Sequence, residues 1–123
     1  TPISLGELVD KISILIIKEK NITDETKLDH VKKELDFLQK TLMNYVQQEE
    51  INTYLENLIN INSKLWNIED DIRECERKKL FDQTFIDLAR SVYFTNDERA
   101  KVKNDINKTF GSELVEVKSY EEY

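Results

Sequence analysis

Glycine and proline are scarce in this chain of 123 residues: there are two of the first and one of the second. An all-β domain of that length needs many more turn formers, so the shortage points to helices joined by short links. A single cysteine, Cys75, excludes an intrachain disulfide and any zinc site built from several thiolates. A single histidine, His30, leaves little room for serine- or cysteine-type nucleophilic catalysis, which needs a His oriented by an acid. No apolar run is long enough to span a membrane. The most apolar stretch, Ile12 to Ile17, falls far short of the roughly 20 residues required. It is not a signal peptide either, because Glu7 and Asp10 stand where a basic leader would be. A cytoplasmic location is therefore expected, and a chain starting at Thr1 is expected to have lost an initiator Met or a tag. Basic residues are outnumbered as well, 18 against 25 acidic ones, for a net charge of −7. That balance argues against nucleic acid, whose binding draws on Lys and Arg at phosphates, and against an anionic membrane surface. A soluble protein or a basic partner remains compatible with it.

What the chain has in quantity is apolar periodicity. One ladder reads Leu28, Val31, Leu35, Leu38, Leu42, Tyr45, and a second reads Tyr54, Leu58, Ile61, Leu65, Ile68, Ile72, Cys75. Alternating steps of three and four mark two long helices that each bury one stripe, over about 25–48 and about 50–79. The ladder position makes Cys75 a packed apolar residue rather than a reactive thiol. An earlier helix starts at Ser4 and Glu7, a capping box, with Ile3 and Leu8 placed as a hydrophobic staple. Its face of Leu5, Leu8, Val9, Ile12, Leu15 and Ile16 is widened by Ile14 and Ile17, so this helix should be central or lie at a subunit interface. Asn21 to Asp24 is a connection. A fourth helix starts at Asp82 with Phe85, Leu88, Ala89 and Val92 inward. A break is expected at Tyr93–Phe94. A fifth helix then begins with the capping box Thr95–Glu98, carries Ala100, Val102, Ile106 and Phe110, and ends at Gly111. Residues 111–123 form a C-terminal arm, weakly alternating at Val115 and Val117 and closing on Tyr120 and Tyr123, either docked or frayed.

The expected fold is thus all-α: one domain over 1–123, an elongated bundle of about five helices with a long antiparallel hairpin of the second and third. Those two helices would be roughly 36 and 45 Å long. A compact domain of this size has a radius of gyration of about 14 Å. Rods that long project unless a second subunit covers them, so a homodimer is expected. Ile12, Leu15 and Ile16 on the first helix are candidate interface residues, together with Trp66, which either closes the core edge or anchors the interface.

Few residues converge on chemistry. Glu69, Asp70, Asp71, Glu74 and Glu76 cluster on the third helix. Glu69–Arg73 and Glu74–Lys78 have the acid-before-base spacing of a self-paired, solvated face. A magnesium site like that of the all-α nucleotide pyrophosphohydrolases needs acidic pairs three apart on two helices. Glu7 and Asp10 have the spacing, but no other helix carries a Glu-x-x-Glu pair to match. Arg77, Lys78 and Lys79 favour the dipole at a helix C-terminus. Arg90, Tyr93, Asn96, Asp97 and Arg99 gather at the corner between the fourth and fifth helices, where a helix N-terminus would offer free N–H groups to an anion. The plainer reading pairs Arg90 with an acid on the third helix and sets Asp97 against the helix dipole. No catalytic residue, metal or cofactor is expected.

Four segments, Pro2-Ile3-Ser4-Leu5-Gly6-Glu7-Leu8-Val9-Asp10-Lys11-Ile12, Leu65-Trp66-Asn67-Ile68-Glu69-Asp70, Leu88-Ala89-Arg90-Ser91-Val92-Tyr93 and Lys118-Ser119-Tyr120, resemble a small uncharacterised family of bacterial and bacteriophage proteins. The likeness spans nearly the whole chain. It carries no established function, although some relatives look to be associated with glycosyltransferase or surface-polysaccharide contexts. Val9-Asp10-Lys11-Ile12 with Ile14-Leu15 also resembles the first helix of all-α chorismate mutases. That family needs several active-site Arg and Lys, and the first helix here supplies Lys11, Lys18 and Lys20 but no Arg. The expected function is a non-enzymatic helical interaction or accessory module. The competing one is a small binder of, or enzyme for, a phosphorylated or carboxylated metabolite at the Arg90–Arg99 corner.

Overall fold

A computed structural model describes residues 2–111 and 114–116; Val117, Lys118, Ser119, Tyr120 and Tyr123 lie outside the described residues. A short strand β1 (Pro2–Ser4) leads into α1 (Leu5–Asn21), α2 (Glu25–Met43), α3 (Gln48–Lys78) and α4 (Gln83–Phe110), and a strand β2 (Leu114–Glu116) follows. β2 pairs antiparallel with β1, setting Ile3 opposite Val115. Side chains start three of the helices. Ser4 accepts from the Glu7 amide at 3.2 Å, Asp24 from the Thr26 amide at 2.9 Å, and Asp82 from the Phe85 amide at 3.4 Å. α3 stops without a glycine. Lys79 takes the left-handed conformation at φ 55°, its N–H donates to the Glu76 carbonyl, and the Leu80 N–H donates to the Cys75 carbonyl. That is the Schellman pattern with a lysine at the position glycine usually holds.

α1 is the hub, packing against α2, α3, α4 and both strands. Its apolar residues are buried on more than one side, as the width of the stripe requires: Leu5, Leu8, Val9, Ile12, Leu15 and Ile17 are all buried. The α2 ladder of Val31, Leu35, Leu38 and Leu42 closes the core from one side, and Ile51, Leu58 and Ile106 close it from α3 and α4.

Two expectations need correction. The expected hairpin of the second and third helices is absent, because α2 spends its single stripe on α1. The long pairing is between α3 and α4, which run against each other: Tyr54 near the start of α3 meets Phe110 edge-on at 5.7 Å and Thr109 at 3.2 Å near the end of α4. Nor are there five helices. The described residues form four, because α4 runs unbroken through Tyr93–Phe94. No Gly or Pro interrupts 83–110, and Thr95, read as a cap, is buried at 1% exposure in mid-helix. Packing against the other helices overrides the local capping signal.

α3 and α4 have 31 and 28 residues, about 46 and 42 Å at the helical rise, whereas α1 has 17, about 25 Å. The α3–α4 pair therefore outruns the helices that cover it. From residue 69 to residue 94 no side chain is fully buried, and the pair projects as a two-helix finger.

Candidate functional site

Two places stand out. The first is a buried polar junction where α1, α3 and α4 meet. Asp10 and Ser13, three apart on α1, point into the apolar interior, and both are wholly buried. Arg99 Nε donates to Asp10 Oδ1 at 2.8 Å, and its Nη2 donates to Asp10 Oδ2. Asn62 from α3 donates to Asp10 Oδ1 at 3.0 Å and to Ser13 Oγ at 2.7 Å. Ser13 Oγ donates in turn to the Asp10 carbonyl at 2.6 Å. The Asp10 hydrogen bonds raise the Arg99 pKa and outweigh burial, which works the other way. One turn along, Lys103 Nζ lies 2.6 Å from a Glu7 carboxylate oxygen, and Asn107 Oδ1 accepts from the Gly6 amide at 2.8 Å. The approach is so close at Gly6 that a Cβ there would strike the Lys103 backbone carbonyl. This is an ion pair whose members satisfy one another. It offers no nucleophile and leaves no charge for a ligand, and its chemistry is that of a clamp.

The second place is the outer surface of the finger. Leu80, Phe81, Ile86, Tyr93 and Phe94 are between 48% and 68% exposed. Tyr93 meets Phe94 edge-on at 5.9 Å, Arg90 lies 5.8 Å from the Phe94 ring centre, and Phe81 meets Phe85 at 5.2 Å. The inner side of the finger carries half-buried Ile72, Cys75, Phe85, Leu88 and Val92. At the opposite end, Met43, Tyr45, Val46, Gln47, Glu50 and Phe110 line an open depression of about 370 Å³ in which no charged groups converge.

A family model described as a family of unknown function (DUF6165) matches residues 1–123. The chain belongs to the DUF6165 family. Nothing among curated proteins or solved structures matches it. The match agrees with the resemblance to an uncharacterised family and brings no activity with it.

In this DUF6165 chain the five corner residues are divided by helical phase. Arg90, Tyr93, Asn96 and Asp97 are exposed on α4, whereas Arg99 turns inward to Asp10. The helix N-terminus that would have anchored an anion there does not exist, because α4 is continuous. Of the interface candidates, Ile12 and Leu15 are buried in the core of their own chain, Ile16 packs on that core half-buried, and Trp66 is half-buried on α3. The acidic cluster pairs as its spacing implies: Arg73 meets Asp70 at 3.1 Å and Glu69 at 3.8 Å, and Glu74 meets Arg77 and, at 3.4 Å, Lys78. Among the described residues no three His, Cys, Asp or Glu side chains gather to hold a metal, and no helix is long and apolar enough to cross a membrane. Sequence reasoning missed the Asp10–Ser13–Asn62–Arg99 junction. Its signal was two polar residues three apart inside the apolar stripe of α1.

Proposed function

We propose that this DUF6165 chain is a non-enzymatic helical interaction module that works as a homodimer through the α3–α4 finger. The observation that supports it is the finger itself, a length of two paired helices from 69 to 94 without one fully buried side chain, yet with five large apolar residues about half exposed. Two helices alone cannot enclose their apolar faces, and a further layer is the usual remedy. Those five residues leave on the order of 500 Å² of apolar surface per protomer, taking about 200 Å² for each full side chain. Two copies with a polar rim reach the size of a standard specific interface, about 1,600 Å² in total. The polar groups that do converge, around Asp10, are occupied with one another, which favours a scaffold over an enzyme.

Sedimentation equilibrium of the purified chain tests this. Dimers are expected at tens of micromolar. A monomer at that concentration refutes the reading.

A further inference from the structure

The outer face of α4 has a symmetry of its own. Residues on a helix advance by about 100° each, so Ile86, Arg90, Tyr93, Phe94 and Asp97 share one face, opposite Leu88, Val92, Thr95 and Arg99. Contacts fix which face is inner: Thr95 is buried and Arg99 is bonded to Asp10. On the outer face Tyr93 and Phe94 sit side by side across the midline. Arg90 stands three residues before Tyr93, and Asp97 three residues after Phe94. The strip is balanced about the point between 93 and 94 in shape, and opposite in charge at its two ends. Neither Arg90 nor Asp97 has an ion-pair partner among the described residues, whereas Arg73, Arg77 and Lys78 on α3 are all paired.

We infer that the occupant of this strip is a second copy of the chain, docked α4 against α4, antiparallel, about a two-fold axis between Tyr93 and Phe94. The inference rests on the homodimer reading and gives it a register. Such an axis brings Arg90 of each copy level with Asp97 of the other, so two identical ion pairs flank the centre. Packed helices lie about 8–10 Å apart, within reach of a guanidinium and a carboxylate. The aromatic pairs of the two copies stack at the axis, and the stem of Lys101 from one copy covers Ile86 of the other. Parallel docking would set Arg90 against Arg90 and Asp97 against Asp97, so charge selects the antiparallel arrangement.

Charge reversal tests the register. Arg90→Glu places like charges at both contacts, and so does Asp97→Arg. Each variant alone is expected to raise the dimer dissociation constant by at least about tenfold. Mixed one to one, the two variants regain opposite charges at both contacts and should form heterodimers as tight as the parent dimer, read by sedimentation and native mass spectrometry. The double variant Arg90→Glu/Asp97→Arg should dimerise with itself. Both positions are exposed, and recovery on mixing separates an interface effect from misfolding. If the wild-type chain dimerises but single reversals leave its affinity unchanged, or if the mixed variants fail to pair, the register is wrong and the homodimer stands. A monomeric wild-type chain overturns both.

Discussion

Replacing Arg99 with Met should unsettle the fold more than any other single change at the polar junction. Asp10 is wholly buried, and three hydrogen bonds reach its carboxylate oxygens, two from Arg99 and one from Asn62. Methionine keeps much of the arginine stem and its packing but removes the positive charge. The Asp10 carboxylate is then left in the interior with the Asn62 amide as its one remaining side-chain donor among the described residues. Breaking a buried pair from one side costs about 3–5 kcal/mol. A chain of this length has a total stability on the order of 6–18 kcal/mol, so the loss is a large fraction of the whole. Urea unfolding followed by far-UV circular dichroism, at fixed protein concentration, measures it. Adding Asp10→Asn to the variant removes the stranded charge and should recover part of the loss. A loss below about 1 kcal/mol at neutral pH, or no recovery when Asp10→Asn is added, would refute the account of the clamp.

Other outcomes follow from features elsewhere. Gly6→Ala should cost about 3 kcal/mol in a denaturation experiment, because the obstacle is the Lys103 backbone rather than a side chain that can swing aside. Lys79→Gly should stabilise the chain by about 1 kcal/mol, read as a higher melting temperature, because glycine takes the left-handed conformation at φ 55° without steric cost. Burial raises the Glu34 pKa against the pull of Lys11 and Lys18, so folding takes up a proton between the unfolded and folded values, and stability falls as pH rises through that interval. Glu34→Gln should then stabilise the chain at neutral pH and lose that advantage in acid, as thermal melts across pH would show.

The periodicity made the elements legible but not their partners. Val31, Leu35, Leu38 and Leu42 were expected to be buried, and they are; an apolar stripe says that a face will be covered and not by what. The two ladders invited pairing of the second helix with the third, yet α1 intervened because it is apolar on several sides. The local signal at Thr95 and Glu98 fits a helix start, and nothing short of the packing around Thr95 reveals that the helix continues through it. That one misreading also hid the junction. Reading 83–110 as a single helix sends Arg99 inward, opposite Arg90, and leaves the corner without its anchor. The bond from Asn62 to Asp10 joins residues 52 apart in sequence, and no local pattern encodes such a link.

The finger divides α3 and α4 into two regimes of stability within the same helices. Amides near Ile51, Leu58 and Ile106 sit in the core and are expected to exchange with solvent only when the whole domain opens. Amides between 69 and 94 have no fully buried side chains beneath them and are expected to exchange through local fraying, at a far smaller free energy, which hydrogen exchange would measure. The change of regime falls beside Asn62 and Arg99, where Asp10 ties both helices to α1. The clamp is therefore the fixed end of a lever, the point at which the finger is tied to the rest of the domain.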